Sequence, residues 1–68
     1  RDHRRALRAF SALIERSPHG NKVPAALLRI GLCYERLGQR DRARRVFERL
    51  RAQYPDSMAA RMASREDA

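Results

Sequence analysis

The sequence contains few of the residues on which covalently or metal-stabilised small folds depend. Its single cysteine, Cys33, excludes an internal disulfide framework and a cysteine-based metal site. Tryptophan is absent, and no apolar run approaches the roughly 18 residues of a membrane span, so direct membrane insertion is not expected. The 68 residues hold one small domain, 1–68, of marginal stability. Because the first residue is Arg1 rather than Met, we expect an excerpt of a longer protein.

Acidic residues are also scarce, with 8 against 16 basic residues and a net charge of +8. All the basic residues except Lys22 are arginine, whereas nucleic-acid surfaces usually mix both types. The carboxylates stand beside arginines, and Asp41 and Glu48 separate two groups of arginines on one helix, which indicates a solvated, ion-paired surface. Nucleic acid is therefore not an expected partner. An arginine-rich nucleic-acid adaptor stays as an alternative, whose binding would fall steeply with salt.

Proline and glycine divide the chain into four stretches with helical periodicity and no alternating, β-branched segment. The breaks lie at residues 17–21, 37–39 and 54–57. This pattern predicts an all-α fold with helices at about 2–17, 22–37, 40–54 and 57–66. The second stretch is apolar on two sides and contains Gly31, an unfavourable residue inside a helix. We therefore expect neighbours on both sides of it and a close approach at Gly31.

The sequence repeats itself with an offset of 37 residues. The matched pairs include Ala6 and Ala43, Phe10 and Phe47, Leu13 and Leu50, Pro18 and Pro55, and Ala26 and Ala63. A period of 20 to 50 residues with apolar matches is typical of stacked helix pairs. The pattern Leu27-x-x-Ile30-Gly31-x-x-Tyr34, followed by Ala43-x-x-x-Phe47 and Pro55, resembles the tetratricopeptide repeat (TPR). The resemblance implies an antiparallel helix-turn-helix array of about one and a half repeats plus a C-terminal closing helix.

Within that family, residues 20–38 and 42–57 are similar to the last repeat of the YbgF/CpoB family of Tol-Pal system proteins. The resemblance implies a periplasmic cell-division coordinator with TolA and a peptidoglycan synthase as partners. Other envelope proteins use similar repeats, so the alternative is a generic TPR scaffold in lipoprotein assembly, secretion or a cytoplasmic complex.

The resemblance also implies which residues meet a partner, because the first helices of such repeats line a concave groove. The positions that it assigns to this groove are Ala25, Leu28, Arg29, Leu32, Glu35 and Arg36. Arginines there suit acidic partner residues, and leucines suit apolar anchors. The alternative for Leu28 and Leu32 is that they simply cover an adjacent repeat.

The first helix lacks a preceding helix in this sequence, so part of the face around Phe10 and Ile14 is without its normal cover. We expect self-association through this face, and a homo-oligomer. We expect no enzyme, metal site or cofactor. His3 and His19 lie in different elements without ligands at metal-binding spacing, and Cys33 has no histidine placed beside it by the sequence.

Overall fold

Four helices make up the structure, as the sequence predicts. The computed structural model describes residues 2–67, in which α1 spans His3–Arg16, α2 Val23–Arg36, α3 Arg40–Gln53 and α4 Met58–Asp67. No strand occurs in this range, so the all-α prediction is confirmed. Each helix end lies within one residue of its predicted position.

Side chains cap the N-termini of α1 and α4. The Asp2 carboxylate accepts a hydrogen bond from the Arg5 backbone N–H at 3.1 Å, and Ser57 Oγ accepts one from Ala60 N–H at 3.0 Å. Each bond satisfies a backbone donor that has no partner within its helix. Asp56 and Ser57 are both suitable caps by sequence, and the structure uses Ser57.

A left-handed glycine ends α2. Gly38 has φ of 79° and donates its N–H to the Glu35 carbonyl at 3.0 Å, while Gln39 N–H reaches the Tyr34 carbonyl at 2.8 Å. These two bonds form a Schellman motif, in which a residue without Cβ avoids the strain of positive φ. The motif reverses the chain so that α3 begins at Arg40 and returns along α2.

The contact between α2 and α3 depends on Gly31. A Cβ built on Gly31 would overlap the Phe47 ring, with 2.7 Å to Cζ. Phe47 is 1% exposed and belongs to the main buried cluster. The expected close approach at Gly31 is thus confirmed, and it explains a residue that is unfavourable within a helix.

The helix α2 is central to the packing. It packs closely against α1, α3 and α4. Within the described range, α1 packs closely against α2 alone. Within the described residues, α2 and α4 pack closely against each other, whereas the backbones of α1 and α3 do not approach each other closely. The buried cluster at its centre consists of Val23, Leu27, Leu28, Ala43, Phe47, Leu50, Ala59, Ala60 and Ala63.

Candidate functional site

One face of α2 carries the residues that the sequence assigns to a partner-binding groove. Ala25, Arg29 and Arg36 are exposed, and Leu32 and Glu35 are half-buried. Helical spacing places these residues along one side of α2, while Leu27 and Ile30, which are 2% and 6% exposed, point into the protein. The structure thus brings Ala25, Arg29, Leu32 and Arg36 together on the side of α2 that faces α1, whereas Glu35 lies toward α3 and α4. The role of these residues in binding stays a prediction.

Leu28 differs from the other five. It is 8% exposed and belongs to the same buried cluster as Ala59, Ala60 and Ala63 of α4. The physical reason is that α4 packs against α2 and covers this side chain. For Leu28 the structure favours the alternative that the sequence left open, namely cover for an adjacent helix, and we leave it out of the candidate site.

A groove runs between α1 and α2. Its larger hollow measures about 580 Å³, and a smaller hollow of about 180 Å³ continues it, with Phe10 and Arg29 shared between them. We call the two hollows the open groove. The α1 side consists of His3, Ala6, Phe10 and Leu13, and the α2 side consists of Lys22, Ala25, Ala26, Arg29, Leu32, Cys33 and Arg36.

A second hollow repeats this geometry one repeat further along the chain. It measures about 480 Å³ and lies among α2, α3 and α4; we call it the closed hollow. Its lining residues are Glu35, Arg36, Arg40, Ala43, Arg44, Phe47 and Glu66. Four residues of the open groove match it at the 37-residue offset: His3 with Arg40, Ala6 with Ala43, Phe10 with Phe47, and Arg29 with Glu66. The two sites are therefore repeat equivalents, but the open groove has helices on two sides only.

The apolar face of α1 is only partly shielded from solvent by the described helices. No residue of α1 is buried, although its apolar residues share one face. Phe10 is half-buried, whereas its repeat equivalent Phe47 is 1% exposed, and Leu13 is half-buried where Leu50 is fully buried. The apolar side chains of α3 are thus buried by neighbouring helices, whereas the equivalent side chains of α1 stay partly exposed to solvent.

Phe10 and Ile14, the two candidate residues for self-association, occupy different sides of α1. Phe10 lines the open groove. Ile14 packs against the buried cluster and lines a separate hollow with Leu27, Ile30 and Val46. Only Phe10 therefore lies in the open groove, and self-association through either residue stays a prediction.

The charges around the open groove are all basic. Lys22, Arg29 and Arg36 are exposed, and His3 is half-buried among them. Neither Arg29 nor Arg36 forms a hydrogen bond or ion pair with another residue of the described chain. The closed hollow differs, because Glu35 and Glu66 stand there beside its arginines.

Two exposed contacts involve arginines at the surface. Arg5 Nε forms a salt bridge with Asp2 Oδ2 at 3.8 Å, on an exposed turn. Arg42 donates a hydrogen bond to the Gln39 amide oxygen at 3.3 Å and lies 6.0 Å from the centre of the Tyr34 ring. Exposed contacts of this kind contribute little to stability.

The described residues contain no group of three histidine, cysteine, aspartate or glutamate side chains that could hold a metal ion. Cys33 is a free, buried thiol at 7% exposure. No helix within residues 2–67 has the length and apolar character to cross a membrane. The open groove itself is lined by apolar residues, among them Phe10 and Leu32, and by basic side chains.

Apart from Phe10, the residues that α1 contributes to the open groove were not predicted from the sequence. His3, Ala6 and Leu13 line the open groove, as does Lys22 at the start of α2. The internal repeat contained the signal for Ala6, because Ala43 occupies the matching position in a covered helix. That signal becomes informative only once the arrangement of the helices in residues 2–67 is known.

Comparison with known proteins identifies one family. The family model described as "Tetratricopeptide repeat" matches residues 25–57, which comprise most of α2, all of α3 and the turn after it. This match supports a tetratricopeptide repeat protein, and such repeats typically form non-catalytic modules that bind protein partners. No curated protein and no solved structure matches the chain.

Proposed function

We propose that this chain is a protein–protein interaction module that binds its partner along the exposed face of α2 and in the open groove. The observation that carries this proposal is the combination of an apolar floor, formed by Phe10 and Leu32, with the exposed basic side chains Arg29 and Arg36. A surface that offers apolar anchor sites beside charged groups is typical of protein recognition. The tetratricopeptide repeat match at residues 25–57 supports the same function.

For the cellular role, we infer a C-terminal TPR domain of the YbgF/CpoB kind, which works in the periplasm with the Tol-Pal system at cell division. The support is the similarity of residues 20–38 and 42–57 to the last repeat and closing turn of that family. Its partners would be TolA and a peptidoglycan synthase. A general TPR scaffold in another complex is the second candidate, and it is favoured by the family match itself, which is to the repeat and not to a subgroup.

Isothermal titration calorimetry with the periplasmic part of TolA tests both parts of this proposal. The variant with Arg29→Glu and Arg36→Glu reverses two exposed charges beside Leu32, so binding should weaken by about tenfold or more because each attraction becomes a repulsion. The variant with Arg45→Glu and Arg61→Glu is the matched control, since it makes the same change of charge at two exposed residues outside the open groove.

The proposal would be supported if the wild-type protein and the control bind TolA and the double variant does not. Binding that survives the double variant would overturn the placement on α2. A complete absence of TolA binding would overturn the Tol-Pal role and leave the general scaffold.

A further inference from the structure

A second groove lies between α1 and α3, on a different side of α2 from the open groove. It measures about 280 Å³, and we call it the α1–α3 groove. Its lining residues are Ser11, Ile14 and Glu15 of α1, Leu27, Ile30 and Tyr34 of α2, and Val46 and Arg49 of α3. Because helices of the described range form both walls and the floor, the shape of this groove is set within residues 2–67.

Most of the surface that lines the α1–α3 groove is apolar. Ile14, Tyr34 and Val46 are half-buried, and each packs against the buried cluster while it also lines the groove. Leu27 and Ile30, which complete the floor, are 2% and 6% exposed. The volume is just below the roughly 300–1,000 Å³ of small-molecule pockets, so the groove fits one large side chain rather than a whole helix. An aromatic side chain fits best, because paired aromatic rings gain more than their buried area alone provides.

The charged groups at this groove follow the axis of α3. Arg42 lies 6.0 Å from the centre of the Tyr34 ring and donates a hydrogen bond to the Gln39 amide oxygen at 3.3 Å. Arg49 lines the groove about two turns later, roughly 10 Å further along the helix. Glu15 lies on the opposite wall from Arg49 and partly offsets its charge. The basic end of the groove is therefore the end at Arg42 and Tyr34.

These charges favour an acidic partner over a second copy of this chain. Each copy has a net charge of +8, so two copies repel each other. A carboxylate beside Arg42 is instead attracted. An aromatic residue in an apolar pocket with a charged neighbour at its rim is a common anchor in protein recognition.

We propose that the α1–α3 groove is a second protein-binding surface, which takes an aromatic side chain of a partner against Ile14, Tyr34 and Val46 and a neighbouring carboxylate beside Arg42. This surface goes beyond the proposed function, because it uses other residues of α2 than the open groove does. The two surfaces can therefore be tested separately.

The isoleucines of this chain provide a direct readout of the α1–α3 groove. Ile14 and Ile30 are the two isoleucines of the sequence, and both line this groove. Leu13 and Leu32 line the open groove, so their methyl groups report on the other surface. The experiment is an NMR titration of the 68-residue chain with ¹³C-labelled isoleucine and leucine methyl groups.

Three capped dipeptides serve as probes. N-acetyl-aspartyl-phenylalaninamide provides the ring and the carboxylate, N-acetyl-lysyl-phenylalaninamide reverses the charge, and N-acetyl-aspartyl-alaninamide lacks the ring. The first probe should shift both isoleucine signals in a saturable way and leave those of Leu13 and Leu32 in place. It should bind about threefold to tenfold more tightly than the lysyl probe, with a smaller difference in high salt, because an exposed attraction becomes a repulsion. The probe without the ring should bind about tenfold more weakly or worse.

Two substitutions in the protein test the position of the carboxylate. Arg42→Gln should remove the preference for the aspartyl over the lysyl probe, while the phenylalanine ring still shifts the isoleucine signals. Arg45→Gln is the matched control, because it removes the same charge from an exposed residue of α3 outside the groove lining, and it should keep the preference. Both residues are exposed, so neither change should disturb the fold.

Equal binding of the aspartyl and lysyl probes, or equal loss of the preference in both variants, would overturn the proposal. So would equal shifts of the isoleucine and leucine signals, or no isoleucine shift at the solubility limit of the probes. Isoleucine signals that move with protein concentration alone would assign the groove to a second copy and overturn it as well.

The TolA titration separates this result from the proposed function. The double variant with Arg29→Glu and Arg36→Glu should bind the probes as the wild-type protein does, because both residues lie outside the α1–α3 groove. TolA binding that this variant loses, combined with no probe binding, would reject only the second surface. Probe binding without TolA binding would reject only the Tol-Pal role.

Discussion

The substitution Gly31→Ala has two opposing effects on the free energy of unfolding. Alanine has the highest helix propensity, so at an unconstrained position in a helix this change stabilises the fold by about 1 kcal/mol. At Gly31, however, the new methyl group would overlap the Phe47 ring, with Cζ only 2.7 Å away. The ring is 1% exposed and belongs to the main buried cluster.

The packing effect should be the larger one. Forcing one extra carbon into a close-packed core costs about 1–3 kcal/mol. The upper part of this range applies here because the methyl group meets several atoms of a rigid, buried ring rather than the end of a flexible side chain. After subtraction of the propensity gain, we expect Gly31→Ala to lower the free energy of unfolding by about 1–2 kcal/mol.

Urea denaturation followed by circular dichroism at 222 nm measures this change. Two control substitutions separate the helix-propensity gain from the packing cost. Ala52→Gly at an exposed position of α3 reports the propensity effect alone, and should cost about 1 kcal/mol. In a Phe47→Leu background, Gly31→Ala should be neutral or stabilising, because the smaller side chain leaves room for the methyl group.

A more stable Gly31→Ala protein would refute this reasoning. It would mean that α2 and α3 are not held together through a close contact between Gly31 and Phe47. An equal loss of stability in the wild-type and Phe47→Leu backgrounds would likewise show that the cost does not arise at the ring.

Three further substitutions test the repeat comparison and the helix ends by the same unfolding assay. Phe47→Ala should cost about 3–5 kcal/mol and Phe10→Ala clearly less, because only the first ring is fully buried; equal losses would show that α1 is covered. Gly38→Ala should cost about 1–2 kcal/mol through strain at φ 79°, since no atom lies within 4 Å of the new methyl group; an unchanged midpoint would contradict a left-handed cap. Ser57→Ala should cost about 1 kcal/mol by leaving the Ala60 N–H without its acceptor, whereas Ser57→Asp should retain most of the stability.

The helices and their ends could be predicted because the signals are local. The left-handed turn at Gly38 and the N-cap at Ser57 depend on residues within one turn of the helix end. The apolar periodicity of each stretch likewise predicts which side of a helix is buried. Gly31 was informative for a similar reason, because a costly residue in an otherwise regular helix indicates a compensating contact.

The candidate site was only partly predictable, as Leu28 and Phe10 show. Both are large apolar residues at regular helical positions, and the sequence does not distinguish a leucine that meets a partner from one that meets α4. Leu28 became part of the buried cluster because α4 folds back onto α2, an event that depends on residues 30 positions later. Phe10 stayed half-buried because no described helix packs on that side of α1.

The sequence by itself thus determined the four helices, their caps, the repeat and the apolar face of each helix, since these follow from backbone conformation and periodicity over a few residues. The tertiary structure decided how deeply each apolar residue is buried, as Leu28 and Phe10 show. Phe10 and Phe47 have the same local sequence signal, yet Phe10 is half-buried and Phe47 is 1% exposed. Their difference arises from neighbours that are distant in the chain, because burial and charge balance depend on all the elements that meet at a site.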